Sequence, residues 1–276
     1  MLFLKKGINC WCFPAEFEIE KCMEIAAEAG FEGIELNIEE EKKDSINLNS
    51  TDEEILRFKE LSDKYNIEII SLATSLFWKY PLTSNQKVIR EKAVKIIKKM
   101  IDAACTLEVD VILVVPGIVD REVSYQKAYQ RALHTFRKIR PYAEGKGVKI
   151  GIENVWNKLL LSPLEMKRFI DEIDSPYVGF YLDVGNLLNY SYPLHWIEIL
   201  ADEIIKVHVK DFKIDIGNIN GFTHLLQGDV DWEQVIRALR KIKYDDYLIA
   251  ELSPYKTCPA QLAVDSANAL QCIINL

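Results

Sequence analysis

No glycine-rich turn follows the first apolar run of this 276-residue chain. The run passes into "CFPAEF" (12–17), with neither G-x-G-x-x-G nor G-K-[ST]. The backbone cradle that wraps nucleotide phosphates in open α/β sheets is therefore missing. No apolar stretch reaches the roughly 20 residues needed to cross a bilayer. The N-terminal "MLFLKKGINC" has too short an apolar segment, placed ahead of its lysines, for a secretory signal. Blocks of Lys or Arg are absent and the formal net charge is -8, so the electrostatic footprint of a nucleic-acid binder is not visible. An acidic total still permits a locally basic pocket for a small anion. Six cysteines are scattered at 10, 12, 22, 105, 258 and 272, which reads as reduced thiols in a cytoplasmic protein. Cys10 and Cys12 read as two small residues on one strand face. The expected setting is the cytoplasm, with neither membrane nor nucleic acid as partner.

What the chain does have is one pattern repeated eight times. Short β-rich runs occupy 7–13, 33–38, 67–75, 109–117, 149–155, 178–186, 204–212 and 247–253. Amphipathic helical patterns lie near 16–30, 52–65, 86–107, 124–145, 163–173, 194–201, 231–241 and 258–275. The clearest is 86–107, where Val88, Ala93, Ile96, Ile97, Met100 and Ala104 recur at helical spacing. Gly30, Asn66, Gly145 and Gly147 stand where helix C-termini are expected. Alternating strands and helices give a parallel sheet, and eight such units at this length predict a single closed (β/α)₈ TIM barrel spanning 1–276. The longest irregular stretches, 38–51 and 212–230, both follow strand ends.

Alternation within the last four strands separates two faces. Ile150 and Ile152 oppose Gly151 and Glu153. Val178, Phe180 and Leu182 oppose Gly179, Tyr181 and Asp183. Ile205, Val207 and Val209 oppose Lys206, His208 and Lys210. Leu248 and Ala250 oppose Tyr247, Ile249 and Glu251. The aliphatic set suits the helix-facing side. The other set brings Glu153, Asp183, His208 and Glu251 inward at the C-terminal mouth, where barrel enzymes keep their active sites. Three carboxylates so close repel one another unless a cation sits among them. Three oxygen donors and one imidazole suit one divalent metal ion such as Mn²⁺, Co²⁺, Mg²⁺ or Zn²⁺. Aromatic residues at strand ends, Trp11 or Phe13, Trp78 and Trp156, are placed to cover the pocket and exclude water. Lys158, Lys210, Lys213 and His224 are candidates for a phosphate or polyol end.

"GIEN", "LDVGN", "HVKD", "GDVDW" and "AELS", in this order, with "GFEGIEL" near the second strand, resemble the xylose-isomerase-like TIM-barrel superfamily of sugar and sugar-phosphate isomerases and epimerases. The resemblance covers nearly the whole chain and points to the ketose 3-epimerase branch. It implies that Glu153, Asp183, His208 and Glu251 hold one divalent metal, with Glu153 and Glu251 doubling as the acid–base pair. It implies a sugar or sugar-phosphate substrate and a homodimer or homotetramer. Three positions depart from the branch. Asn186 stands where many relatives have a His, and suits a sugar hydroxyl better than a metal. Asn157, Lys158 and Leu159 stand where a second Glu is usual. Lys213 is the only nearby counterpart of an Arg after the strand-7 His.

The expected chemistry is proton removal beside a carbonyl. One glutamate takes the proton from the substrate carbon. Return to the opposite face gives an epimer, and return to the adjacent carbon gives an aldose–ketose isomer. A metal-dependent lyase or dehydratase, of keto-inositol or dehydroshikimate type, shares the same ligands and is the alternative. An abasic-site endonuclease from the same superfamily needs extra histidines, and this chain has four: His134, His195, His208 and His224.

Overall fold

Each of the eight apolar runs contains a strand and each amphipathic pattern forms a helix, but Cys10 and Cys12, expected on one strand face, lie in a 3₁₀ turn capped by Asn9 just after the first strand. The computed structural model describes residues 3–41 and 44–276. The strands are β1 (Lys5–Asn9), β2 (Gly33–Glu39), β3 (Glu68–Ala73), β4 (Val111–Val114), β5 (Lys149–Glu153), β6 (Val178–Asp183), β7 (Ile204–Val209) and β8 (Tyr247–Ala250). The helices between and after them are α1 (Ile19–Glu28), α2 (Asp52–Tyr65), α3 (Lys87–Leu107), α4 (Tyr125–Lys146), α5 (Pro163–Ile173), α6 (Pro193–Leu200), α7 (Trp232–Lys241) and α8 (Gln261–Ile274). All barrel pairings are parallel, in the order β1-β8-β7-β6-β5-β4-β3-β2, and β1 also pairs with β2, closing the barrel.

Local chemistry sets the helix ends. Thr51 and Glu54 form a reciprocal capping box at the start of α2, and Asn66 ends it in the left-handed region. Ser162 caps α5 with Pro163 in its first turn. Gly147 caps the end of α4 with φ 71, whereas Gly145, also expected at a terminus, lies inside the last turn. Val88, counted in the apolar stripe of α3, is exposed on its first turn. Among the described residues no helix is long and apolar enough to cross a membrane.

Two β-bulges shape the barrel floor. Between Ile34 and Glu35 the register against β3 shifts by one residue, and between Phe180 and Tyr181 the register against β7 does the same. Each shift turns one extra side chain across the pleat. Ile70 lies over Gly7 and Gly33, and Ile205 over Gly179 and Gly151. Ile205 therefore does not share the helix-facing side with Val207 and Val209, as simple alternation suggests. A Cβ on Gly151 would also sit 2.8 Å from Tyr181 Cδ2, so this glycine gives the Tyr181 ring its room in the lumen.

The stretches after the strand ends are partly ordered. Ile46–Asn47 pairs alongside the end of β2, while residues 42 and 43 of the 38–51 stretch lie outside the described residues. Within 212–230, Phe222–Thr223 pairs antiparallel with Asp211–Phe212. Short helices at Leu76–Lys79 and Val184–Leu187, not expected from periodicity, follow β3 and β6 directly. They carry the chain over the barrel mouth.

Candidate metal centre

Glu153 and Asp183 are the last residues of β5 and β6, His208 lies near the end of β7, and Glu251 follows β8. One ligand atom from each of these four lies within 4.8 Å of the others. Two donors about 2.0–2.4 Å from a shared ion stand at most about 4–4.8 Å apart, so the spread matches one ion. Of the four histidines only His208 belongs to this group. His134 and His195 are exposed on α4 and α6.

Asparagines brace the ligand-bearing strand ends. Asn154 Nδ2 donates to the Asp183 carbonyl and its Oδ1 accepts from the Asp183 N–H, both at 2.8 Å. The Asn186 N–H donates to Asp183 Oδ1 at 2.9 Å, and Asn186 Nδ2 donates to the Asn154 carbonyl at 2.9 Å. Trp156 Nε1 donates to the Asn186 carbonyl at 2.8 Å. Asp183 thus arrives with its backbone and one oxygen already fixed.

Lys210, a candidate for a phosphate or polyol end, lies against the cluster itself. Its ammonium forms ion pairs with Asp183 Oδ2 and Glu251 Oε2 inside the cluster. Gly185 makes this approach possible: a Cβ there would lie 2.5 Å from Lys210 Cγ and 2.6 Å from the Lys210 carbonyl oxygen. The four ligand residues titrate unequally in consequence. Burial pushes Glu153 up to about 7, with Glu251 and Asp183 adding repulsion against the pull of His208. Burial pushes Asp183 up to about 6, with Lys210 opposing. Burial also works against the charge of Glu251, but Lys210 and His208 more than offset it and hold this group at about 2. Lys210 remains firmly protonated: burial disfavours its charge, and Asp183 and Glu251 outweigh that.

A cavity of about 830 Å³ opens over the cluster, and Glu153 and Glu251 lie in its wall. Trp11, Trp78, Trp156, Asn186, Lys210 and His224 also line it. The structure does not bring Lys213 there. It is exposed, and its N–H donates to the Gly221 carbonyl at 2.9 Å. Lys158 is likewise exposed and outside the lining, in the left-handed region at φ 61. Phe13 is buried away from the cavity. Thr223, Ser253, Tyr255 and Lys256 reach the lining from the long loops after β7 and β8. Loop residues have no periodicity, so no sequence signal marked them. Glu35 of β2 was missed too: it contacts His208 at 2.6 Å from across the lumen. Its signal was present in the alternation Gly33, Glu35, Asn37 against Ile34, Leu36, Ile38.

A closed barrel of eight parallel strands, with a carboxylate–imidazole cluster at its mouth, fits the family whose sequence profile matches this chain. That family is described as xylose isomerase-like TIM barrel and the match spans residues 23–272; the chain belongs to it. Among curated relatives, the L-ribulose-5-phosphate 3-epimerase UlaE of Escherichia coli (strain K12) is 24% identical over 245 residues, 86% of this chain and 84% of that protein. The protein MJ1311 of Methanocaldococcus jannaschii is 27% identical over 259 residues, covering 91% of this chain and 84% of its own length. Among solved structures, a D-tagatose 3-epimerase-like protein superimposes with a TM-score of 0.83 at 24% identity, over 99% of this chain and 97% of the other.

Proposed function

We propose that this protein is a divalent-metal-dependent epimerase of a ketose or ketose phosphate. The observation that carries the reading is the pair Glu153 and Glu251, set at the end of β5 and just after β8 around Asp183 and His208 and exposed to one cavity. Family membership and the 3-epimerase names among the relatives support the substrate class. A bound ion supplies Lewis-acid polarisation of the substrate carbonyl and hydroxyl. Asp183 and His208 hold position, and Glu153 and Glu251 move the proton. In the metal-free cluster burial raises Glu153 to about 7, whereas Lys210 and His208 hold Glu251 at about 2 against burial, so the two carboxyls are unequal bases. The Trp11 and Trp156 rings cover the sugar and limit water at the reacting carbon. Asn186 and His224 are assigned to its hydroxyls or phosphate.

The test is a screen of Mn²⁺- or Co²⁺-reconstituted protein against free and phosphorylated ketoses in deuterium oxide. Epimer formation with deuterium incorporated at the inverted carbon is expected. Turnover of every accepted sugar without deuterium uptake refutes proton abstraction. A product with new ultraviolet absorbance indicates a lyase instead.

A further inference from the structure

Glu35 is fully buried in the barrel lumen, on β2, opposite the strands that supply the four cluster residues. Its carboxylate accepts four hydrogen bonds. His208 Nε2 and Asn9 Nδ2 approach Oε1 at 2.6 and 2.5 Å, and Ser71 Oγ and Tyr181 OH approach Oε2 at 2.7 and 2.6 Å. The donors come from β7, β1, β3 and β6, so the group is fixed from several sides. An isolated buried carboxylate is costly. Here the Asn9, Ser71 and Tyr181 donors hold it as an acceptor aimed at one nitrogen of His208.

The consequence falls on the other nitrogen. With Nε2 donating to Glu35, His208 turns Nδ1 to the cluster, 3.3 Å from Glu153 Oε1 and 3.5 Å from Glu251 Oε2. The Tyr181 ring packs edge-on to the imidazole at 4.6 Å between centroids and restricts its rotation. We infer that Glu35 is a positioning residue for the metal: it fixes the His208 ring and keeps the ring proton on Nε2, so that Nδ1 is presented to the ion. This rests on the reading of the cluster as a metal site. A carboxylate behind a metal-binding imidazole orients the ring and raises its basicity, and losing it typically costs about 10–100-fold in metal affinity.

The test uses the full-length protein stripped of metal and titrated with Co²⁺, followed by its visible absorption. Wild type, Glu35→Ala, Glu35→Gln and Leu36→Ala are compared. Leu36 is the adjacent buried residue of the same strand and faces the helices, so Leu36→Ala reports a purely structural defect. Glu35→Ala is expected to weaken Co²⁺ binding about 10–100-fold and to alter the absorption bands. Glu35→Gln keeps an oxygen acceptor for Nε2–H and should recover part of the affinity. Leu36→Ala should lower the unfolding temperature and leave Co²⁺ affinity unchanged. In the Zn²⁺-loaded protein labelled with ¹⁵N-histidine, the His208 Nε2–H proton should be protected from exchange in wild type and lost in Glu35→Ala.

Wild-type affinity in Glu35→Ala, or equal weakening in Leu36→Ala, overturns the inference. If Glu35→Ala does not fold, Glu35→Gln carries the comparison: Co²⁺ affinity and an Nε2–H proton both indistinguishable from wild type overturn it. A wild-type protein that binds no Co²⁺ overturns the metal reading itself, and that result is visible before any variant is made.

Discussion

Exchanging Glu153 or Glu251 for Gln separates holding an ion from moving a proton. Each glutamine keeps a carbonyl oxygen and nearly the same volume, and loses the ionisable group. A positioned acid or base contributes on the order of 10²–10⁴ in rate, or about 2.7–5.4 kcal/mol at 1.36 kcal/mol per decade. The structure makes the two variants unequal in other respects. Burial raises Glu153 to about 7 in the metal-free protein, so its charge there is costly near neutral pH and the neutral amide of Glu153→Gln should disturb the metal-free fold little. Glu251 is paired with Lys210, so Glu251→Gln leaves that ammonium with Asp183 alone and should lower the unfolding temperature. The assay measures turnover at saturating ketose together with metal content by elemental analysis. Both variants should bind metal and sugar and lose epimerisation by about 10²-fold or more. The remaining glutamate still faces one side of the carbon, so slow deuterium exchange into unconverted substrate should survive in one variant. Near-native turnover in either variant, or a loss that merely tracks metal content, refutes the two-glutamate mechanism.

Two further outcomes follow from the same electrostatics. Lys210→Met removes the ammonium from between Asp183 and Glu251; breaking a buried pair costs about 3–5 kcal/mol, so unfolding in the presence of chelator should shift strongly downward, and added Mn²⁺ should restore much of the loss. In the metal-free protein, burial raises Glu153 to about 7 and Asp183 to about 6, while unfolded carboxylates titrate near about 4. The folded state therefore binds more protons across that interval, and the stability these groups contribute is lost as pH rises through about 6–7. His208, raised by Glu35 and Glu153 against the effect of burial, acts in the same direction at higher pH. Glu251, held at about 2, acts oppositely only below the unfolded carboxylate range. Unfolding temperatures of chelated protein should fall between about pH 5 and 8, and saturating Mn²⁺ should flatten or reverse the trend; a rise with pH in the chelated protein contradicts this account.

Much of this protein was determined by its sequence alone. Alternation has a period of two, so Glu153, Asp183, His208 and Glu251 could be assigned to one face of four strands without knowing the fold in detail, and eight strand–helix units with no glycine-rich phosphate turn after the first strand favour a closed barrel over an open sheet. The helices announced themselves because their apolar stripes, caps and terminal residues are local. What the sequence did not determine depends on distance across the lumen or on the lengths of particular side chains. Glu35 was legible as an inward residue of β2, but only barrel closure brings it within 2.6 Å of His208. Lys210 reads as a cavity-lining lysine from its phase; that it turns back onto Asp183 and Glu251 depends on the space left by Gly185. Ile70 and Ile205 break the alternation because each bulge is fixed by its partner strand, which no single run of residues encodes. The cavity wall from Thr223 to Lys256 was decided by tertiary structure for a simpler reason: loops have no repeat, and only the strands that end beneath them decide where their side chains point.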